Sequence, residues 1–76
     1  MTASSDMAAF ALVVDRGSLA RAAPELGMTA SALSKQLTRL EERLGVRLLN
    51  RTTRRLSLTP EGERFLARSR DVLALI

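Results

Sequence analysis

The sequence predicts a mostly α-helical single domain carrying one short β-hairpin, and three observations carry that reading. The apolar residues are helix formers: among 76 residues there are 14 Leu and 11 Ala, whereas Val and Ile together number five. Gly17, Gly27 and Gly45 each fall just after a run with helical spacing, and they divide the first 45 residues into three segments. Beyond Gly45 the apolar spacing shortens to two, the period of a strand. A chain of this length forms one domain, burying about 60% of its unfolded surface.

In the first segment Ser5 is placed to cap a helix, and Met7, Phe10, Ala11 and Val14 follow at i, i+3, i+4 and i+7, the stripe of one buried face. Ser18 caps the second, where Leu19, Ala22, Ala23 and Leu26 repeat the spacing and the two alanines allow a neighbouring helix to come close. Pro24 removes a hydrogen bond to Ala20, at a cost of about 3 kcal/mol in a regular helix, so a distorted second half is expected. Thr29 caps the third, in which Leu33, Leu37, Leu40 and Leu44 fall within about 60° of one another. Its opposite face carries Ser31, Lys35, Thr38, Arg39 and Glu42, with Ser34 on the flank and Gln36 towards the buried edge.

Next, Val46 and Leu48 alternate with Arg47, and Leu56 and Leu58 flank Ser57, as in two short strands. Asn50 to Arg55 forms the polar tip between them. Helix two, the tight turn at Gly27-Met28 and helix three have the helix-turn-helix pattern over about 19–38, and a hairpin over about 46–58 directly after it is a wing. The predicted fold is therefore a winged helix-turn-helix of three helices and a two-stranded wing, spanning 1–59. Thr59-Pro60-Glu61 then starts the linker helix of 60–76, with a capping hydroxyl, proline at the first helical position and a carboxylate favouring the dipole. Its apolar stripe of Phe65, Leu66, Ser69, Val72, Leu73 and Ile76 has no stop signal, which predicts a piece of a longer protein whose last helix packs on something outside the monomer.

Charge and composition narrow the function. There is no Cys and no His, so disulfides, thiolate zinc sites and the commonest general base are absent. The candidates left for catalysis are Glu41-Glu42, Glu61 and Glu63 with serines and one lysine; the paired Glu41-Glu42 sit at a helix end among arginines and read as surface charges, and neither an enzyme nor a metal site is expected. The longest apolar run, Met7 to Val14, is too short for a membrane span of about 20 residues. From Lys35 to Arg55 there are seven basic and two acidic residues, against five and six elsewhere. Such asymmetry points to a polyanionic partner, nucleic acid before membrane, with a solvated surface as the bland rival. Helix-three amides and the hydroxyls of Thr29, Ser31 and Ser34 suit phosphate oxygens or base edges, and Lys35 and Arg39 reach further along the same face. Arg43 and Arg47 lie off it, solvated or paired with Glu42.

These residues also carry a family likeness. Gly17-Ser18, Ala22-Ala23, the run Ser31 to Leu37, Leu40-Glu41, Leu44-Gly45 and Leu58-Thr59-Pro60-Glu61-Gly62, in this order, make Met7 to Gly62 resemble the N-terminal domain of LysR-type transcriptional regulators. The resemblance implies sequence-specific binding of double-stranded DNA, with recognition helix 30–44 in the major groove. It places Thr29, Ala30, Ser31, Ser34 and Lys35 on DNA, with Arg51, Thr53 and Arg54 as wing contacts; Ser18, Thr38 and Arg39 complete the candidate set. It further implies a homodimer through antiparallel linker helices, a tetramer in the full-length protein, and an interrupted inverted repeat as the DNA site. No cofactor is expected in this domain; a small-molecule effector would bind a C-terminal domain absent from this chain, in the bacterial cytoplasm and on the nucleoid. Ala30 stands where many members have Gln, leaving a methyl to touch thymine, and Leu49 replaces a common Phe beneath the wing. The competing reading is a winged-helix module for protein association with an incidental basic face, and the salt response of binding separates the two.

Overall fold

The computed structural model describes residues 3–51 and 56–75. Helices α1 (Ala3–Arg16), α2 (Leu19–Glu25) and α3 (Ala30–Leu44) are followed by strands β1 (Leu49–Asn50) and β2 (Ser57–Leu58) and by helix α4 (Pro60–Ala74). The strands pair antiparallel, Leu49 opposite Leu58 and Asn50 opposite Ser57. This is the winged helix-turn-helix architecture with a following helix, as the sequence predicts.

Local chemistry sets the helix limits. Ser18, Thr29 and Thr59 cap α2, α3 and α4, their side-chain oxygens accepting from the backbone N–H of Arg21 (3.3 Å), Ala32 (3.0 Å) and Gly62 (2.9 Å). At the end of α3, Gly45 takes a left-handed conformation (φ 73°) that other residues adopt only under strain, and its N–H closes the helix on the Glu41 carbonyl. The expected cap at Ser5 is not formed: α1 already runs from Ala3, which puts Ser5 inside the helix and Asp6 in its first turn. Pro24 leaves α2 helical through Glu25. The helix closes in tightened turns, with Leu26 N–H on the Ala23 carbonyl (3.0 Å) and Gly27 N–H on the Pro24 carbonyl (3.1 Å).

The core gathers Phe10 and Val13 of α1, Ala22 and Ala23 of α2, Leu33, Leu37 and Leu40 of α3, Leu48 and Leu49 at the wing's root, and Leu66 of α4. Three expectations change here. In α1 Phe10 and Ala11 of the predicted stripe are buried, but Asp6, Ala9 and Val13 are buried too while Met7 and Val14 are only partly so, because Asp6 is taken inside by partners on α3. Leu44 is 45% exposed, since α3 has run past the core by its last turn. Leu48 and Leu49 are both buried while Val46 is exposed, so strict alternation fails where the chain crosses under the wing.

Helix α4 lies along α1 and closes the same core, so residue 59 is not a boundary in the packing. The Phe10 and Phe65 rings meet edge to face at 5.3 Å, and Arg70 on α4 binds Asp15 on α1 at 3.0 Å. Of the residues assigned to dimerisation, Leu66 and Ser69 are buried and Phe65 and Leu73 partly buried within this chain, because α1 supplies the surface they need. Val72 and the unassigned Leu75 remain exposed, and Ile76 lies outside the described residues. At the far end of α1, Arg16 forks onto Glu25 of α2 (2.5 and 2.7 Å), and this hydrogen bonding holds the Glu25 carboxyl below its ordinary range. Among the described residues no helix is long and apolar enough to cross a membrane.

Candidate nucleic-acid interface

The α2–α3 turn sets α3 with Leu33, Gln36, Leu37 and Leu40 inward, which by helical spacing turns Thr29, Ala30, Ser31, Lys35, Thr38 and Arg39 outward. All six are exposed and Ser34 is half-buried on their flank. Thr29 satisfies the Ala32 N–H, which leaves the Ala30 and Ser31 amides at the positive end of the helix dipole as open donors. Lys35 and Arg39, one turn apart, make no ion pair among the described residues. An exposed cation without an internal partner beside open amides is a ready contact for an anion.

The remaining predicted residues sit differently. Ser18 is half-buried as the cap of α2, and with Ala30, Arg51 and Leu56 it lines one groove of about 330 Å³. The N-termini of α2 and α3 and the base of the wing therefore share one concave face. Among the described residues the Ser34 hydroxyl has no partner, so it makes no bond back to the Ala30 carbonyl; Thr38 instead donates to the Ser34 carbonyl at 3.0 Å. Arg51 is turned inward, one guanidinium nitrogen donating to Thr38 Oγ1 (2.8 Å) and the other to Glu41 Oε1 (3.1 Å), with its Nε buried and unpartnered among the described residues. Thr53 and Arg54 lie outside the described residues.

Two carboxylates hold this face in place, and sequence reasoning missed both. Glu41 is no surface charge: its Oε2 accepts from the backbone N–H of Leu48 (2.7 Å) and Leu49 (3.2 Å), and its Oε1 takes Arg51. The reversal at Gly45 brings the chain back across the last turns of α3, so the partners arrive seven to ten residues later. The sequence signal was the backbone accounting, because the amides of two adjacent buried leucines before a two-residue strand need an acceptor. On the opposite side of α3, Asp6 is buried and accepts from Gln36 Nε2 (3.0 Å) and from Arg43. Arg43 is therefore paired with Asp6 and not with Glu42, and Gln36 faces the interior.

Comparisons with known proteins agree with this geometry. The family model for the bacterial regulatory helix-turn-helix proteins of the lysR family matches residues 4–63. The HTH-type transcriptional regulator CrgA of Neisseria meningitidis serogroup C (strain 8013) is 51% identical over 72 residues, covering 95% of this chain and 24% of its own length. The chain thus spans about a quarter of the length of the curated relatives it matches. Among solved structures, the BenM DNA-binding domain with catB site 1 DNA has a TM-score of 0.90 at 34% identity, covering 96% of this chain and 81% of the other. The CbnR DNA-binding domain in complex with DNA has a TM-score of 0.88 at 34% identity, covering 97% and 85%.

Proposed function

The chain belongs to the lysR family of bacterial regulatory helix-turn-helix proteins, and from that premise we propose that it is the DNA-binding part of a transcriptional regulator, reading double-stranded DNA with α3 in the major groove. The observation that carries this reading is the pair Lys35 and Arg39, exposed and free of ion pairs among the described residues, beside the open N-terminus of α3. The BenM and CbnR domains that share the fold were solved in complex with DNA, which supports DNA as the partner. Lys35 contacts a base or phosphate, Arg39 a phosphate, Thr29, Ser31 and Ser34 phosphate oxygens or base edges, and the Ala30 methyl a thymine. The wing, with Thr53 and Arg54, lies on the backbone or in the minor groove.

The rest of the proposal concerns the assembly. A homodimer forms through the face of α4 that α1 leaves uncovered, where Val72 and Leu75 are exposed, and it reads an interrupted inverted repeat. In the whole protein a further domain binds a small-molecule effector, dimers pair into tetramers, and the regulator works in the cytoplasm.

Selection from a pool of randomised duplexes at moderate salt tests this. Enrichment of two inverted half-sites at fixed spacing is expected, with affinity falling steeply as salt rises. Lys35→Ala should weaken binding to the selected duplex about tenfold, the size of one lost base or phosphate contact. Binding that ignores salt, together with unchanged affinity in Lys35→Ala, would overturn the assignment and favour a protein-association module.

A further inference from the structure

We infer that Glu41 is the positioning residue of the DNA interface and that Arg51 is its strut, not a phosphate contact; this rests on the DNA-binding reading above. The wing joins the rest of the domain through two two-residue strands, a ladder too short to hold its orientation alone. What ties it to the recognition helix is one carboxylate of α3. Glu41 takes the Leu48 and Leu49 amides on one oxygen and Arg51 on the other, and Arg51 reaches on to Thr38, one turn back along α3. The chain is thus fastened to α3 on both sides of Asn50, so the wing leaves at a fixed angle to the face that carries Lys35 and Arg39.

Arg51 is committed inward in this position. Each terminal nitrogen donates an N–H to Thr38 or Glu41, its Nε is buried, and the side chains of Arg51 and Glu41 are only 22% and 10% exposed. Pulling it out to meet DNA would leave a nearly buried carboxylate without its counter-charge, a costly exchange for one surface phosphate contact.

The two roles predict opposite signs for one substitution. Glu41→Gln removes a negative charge beside a polyanion and frees Arg51, so if Arg51 served as a phosphate contact, binding would tighten or stay the same. If Glu41 positions the wing, binding weakens although the net charge becomes more positive, by roughly tenfold if the wing then holds its binding orientation a tenth of the time. The experiment measures affinity for the selected duplex across a salt series for the parent, Glu41→Gln, Arg51→Gln, Arg51→Lys and the double variant Glu41→Gln/Arg51→Gln, with circular dichroism to confirm the fold. Each single variant is expected to bind more weakly, the double no worse than the weaker single, and the salt slope to stay unchanged. A slope lowered by about 0.9 in Arg51→Gln with full affinity in Arg51→Lys would overturn the inference, because a phosphate contact needs the charge and not the fork. Arg51→Lys keeps the charge and the fold even if Glu41→Gln fails to fold, so the inference stands or falls on it alone. Failure of the parent to bind in a salt-dependent manner would instead refute the underlying DNA-binding reading.

Discussion

At Gly62 the first turn of α4 rests directly on the backbone of Leu48. A Cβ there would overlap the Leu48 carbonyl oxygen and lie 2.9 Å from its carbonyl carbon, and a backbone cannot give way as a flexible side chain would. Alanine is ordinarily the better helix residue by about 1 kcal/mol. Here the sign reverses: Gly62→Ala should lose roughly 2 kcal/mol net by overpacking. For a domain of this size that is a fall in Tm of roughly 10 °C, read by thermal denaturation. A Tm equal to or above the parent's would show that the two backbones separate freely. The same scale explains why Glu41 and Asp6 were hard to read. A cap such as Ser18 or Thr59 is legible because donor and acceptor lie three residues apart, whereas Asp6 finds Gln36 and Arg43 thirty or more residues away. Nothing in the local pattern marks such a carboxylate as buried.

At the scale of elements, helix existence was written in capping hydroxyls and glycine stops: Ser18, Thr29 and Thr59 cap the helices expected of them, whereas α1 starts at Ala3, ahead of the expected cap at Ser5. Which face each helix buries was less legible. In α1 Phe10 and Ala11 of the stripe starting at Met7 are buried, but the burial of Asp6 beside them depends on a polar partner on α3. In α4 the apolar stripe announces burial but not against what, and α1 takes most of it. The junction between wing and α4 depends on Thr59, whose hydroxyl accepts from Gly62 N–H and donates to the Arg47 carbonyl at 2.6 Å. Thr59→Ala removes both bonds and should cost about 1–2 kcal/mol in urea denaturation, while Thr59→Ser should recover most of it. Equal stability of the alanine and serine variants would mean that Pro60 alone starts the helix.

Over the whole molecule the decisive contact is Phe10 with Phe65, because it joins the first helix to the last. Phe10 is fully buried, and its truncation to alanine should cost about 3–5 kcal/mol. A domain of 76 residues has about 4–11 kcal/mol in all, so Phe10→Ala should abolish or nearly abolish a cooperative thermal transition by circular dichroism. A sharp melt close to the parent's would place the stability elsewhere. The contact of Gly62 with Leu48 also has a mechanical meaning at this scale, since it fixes the near end of a rod. Helix α4 has 15 residues and is about 22 Å long. A tilt of about 10° at its pivot would sweep the tip bearing Val72 and Leu75, about 15–20 Å away, through about 3 Å, close to the 3.4 Å rise of one base pair. In the two-fold assembly proposed above, joined at those tips, the missing side chain of Gly62 would gear the distance between the two reading heads, and so the number of base pairs between the proposed half-sites.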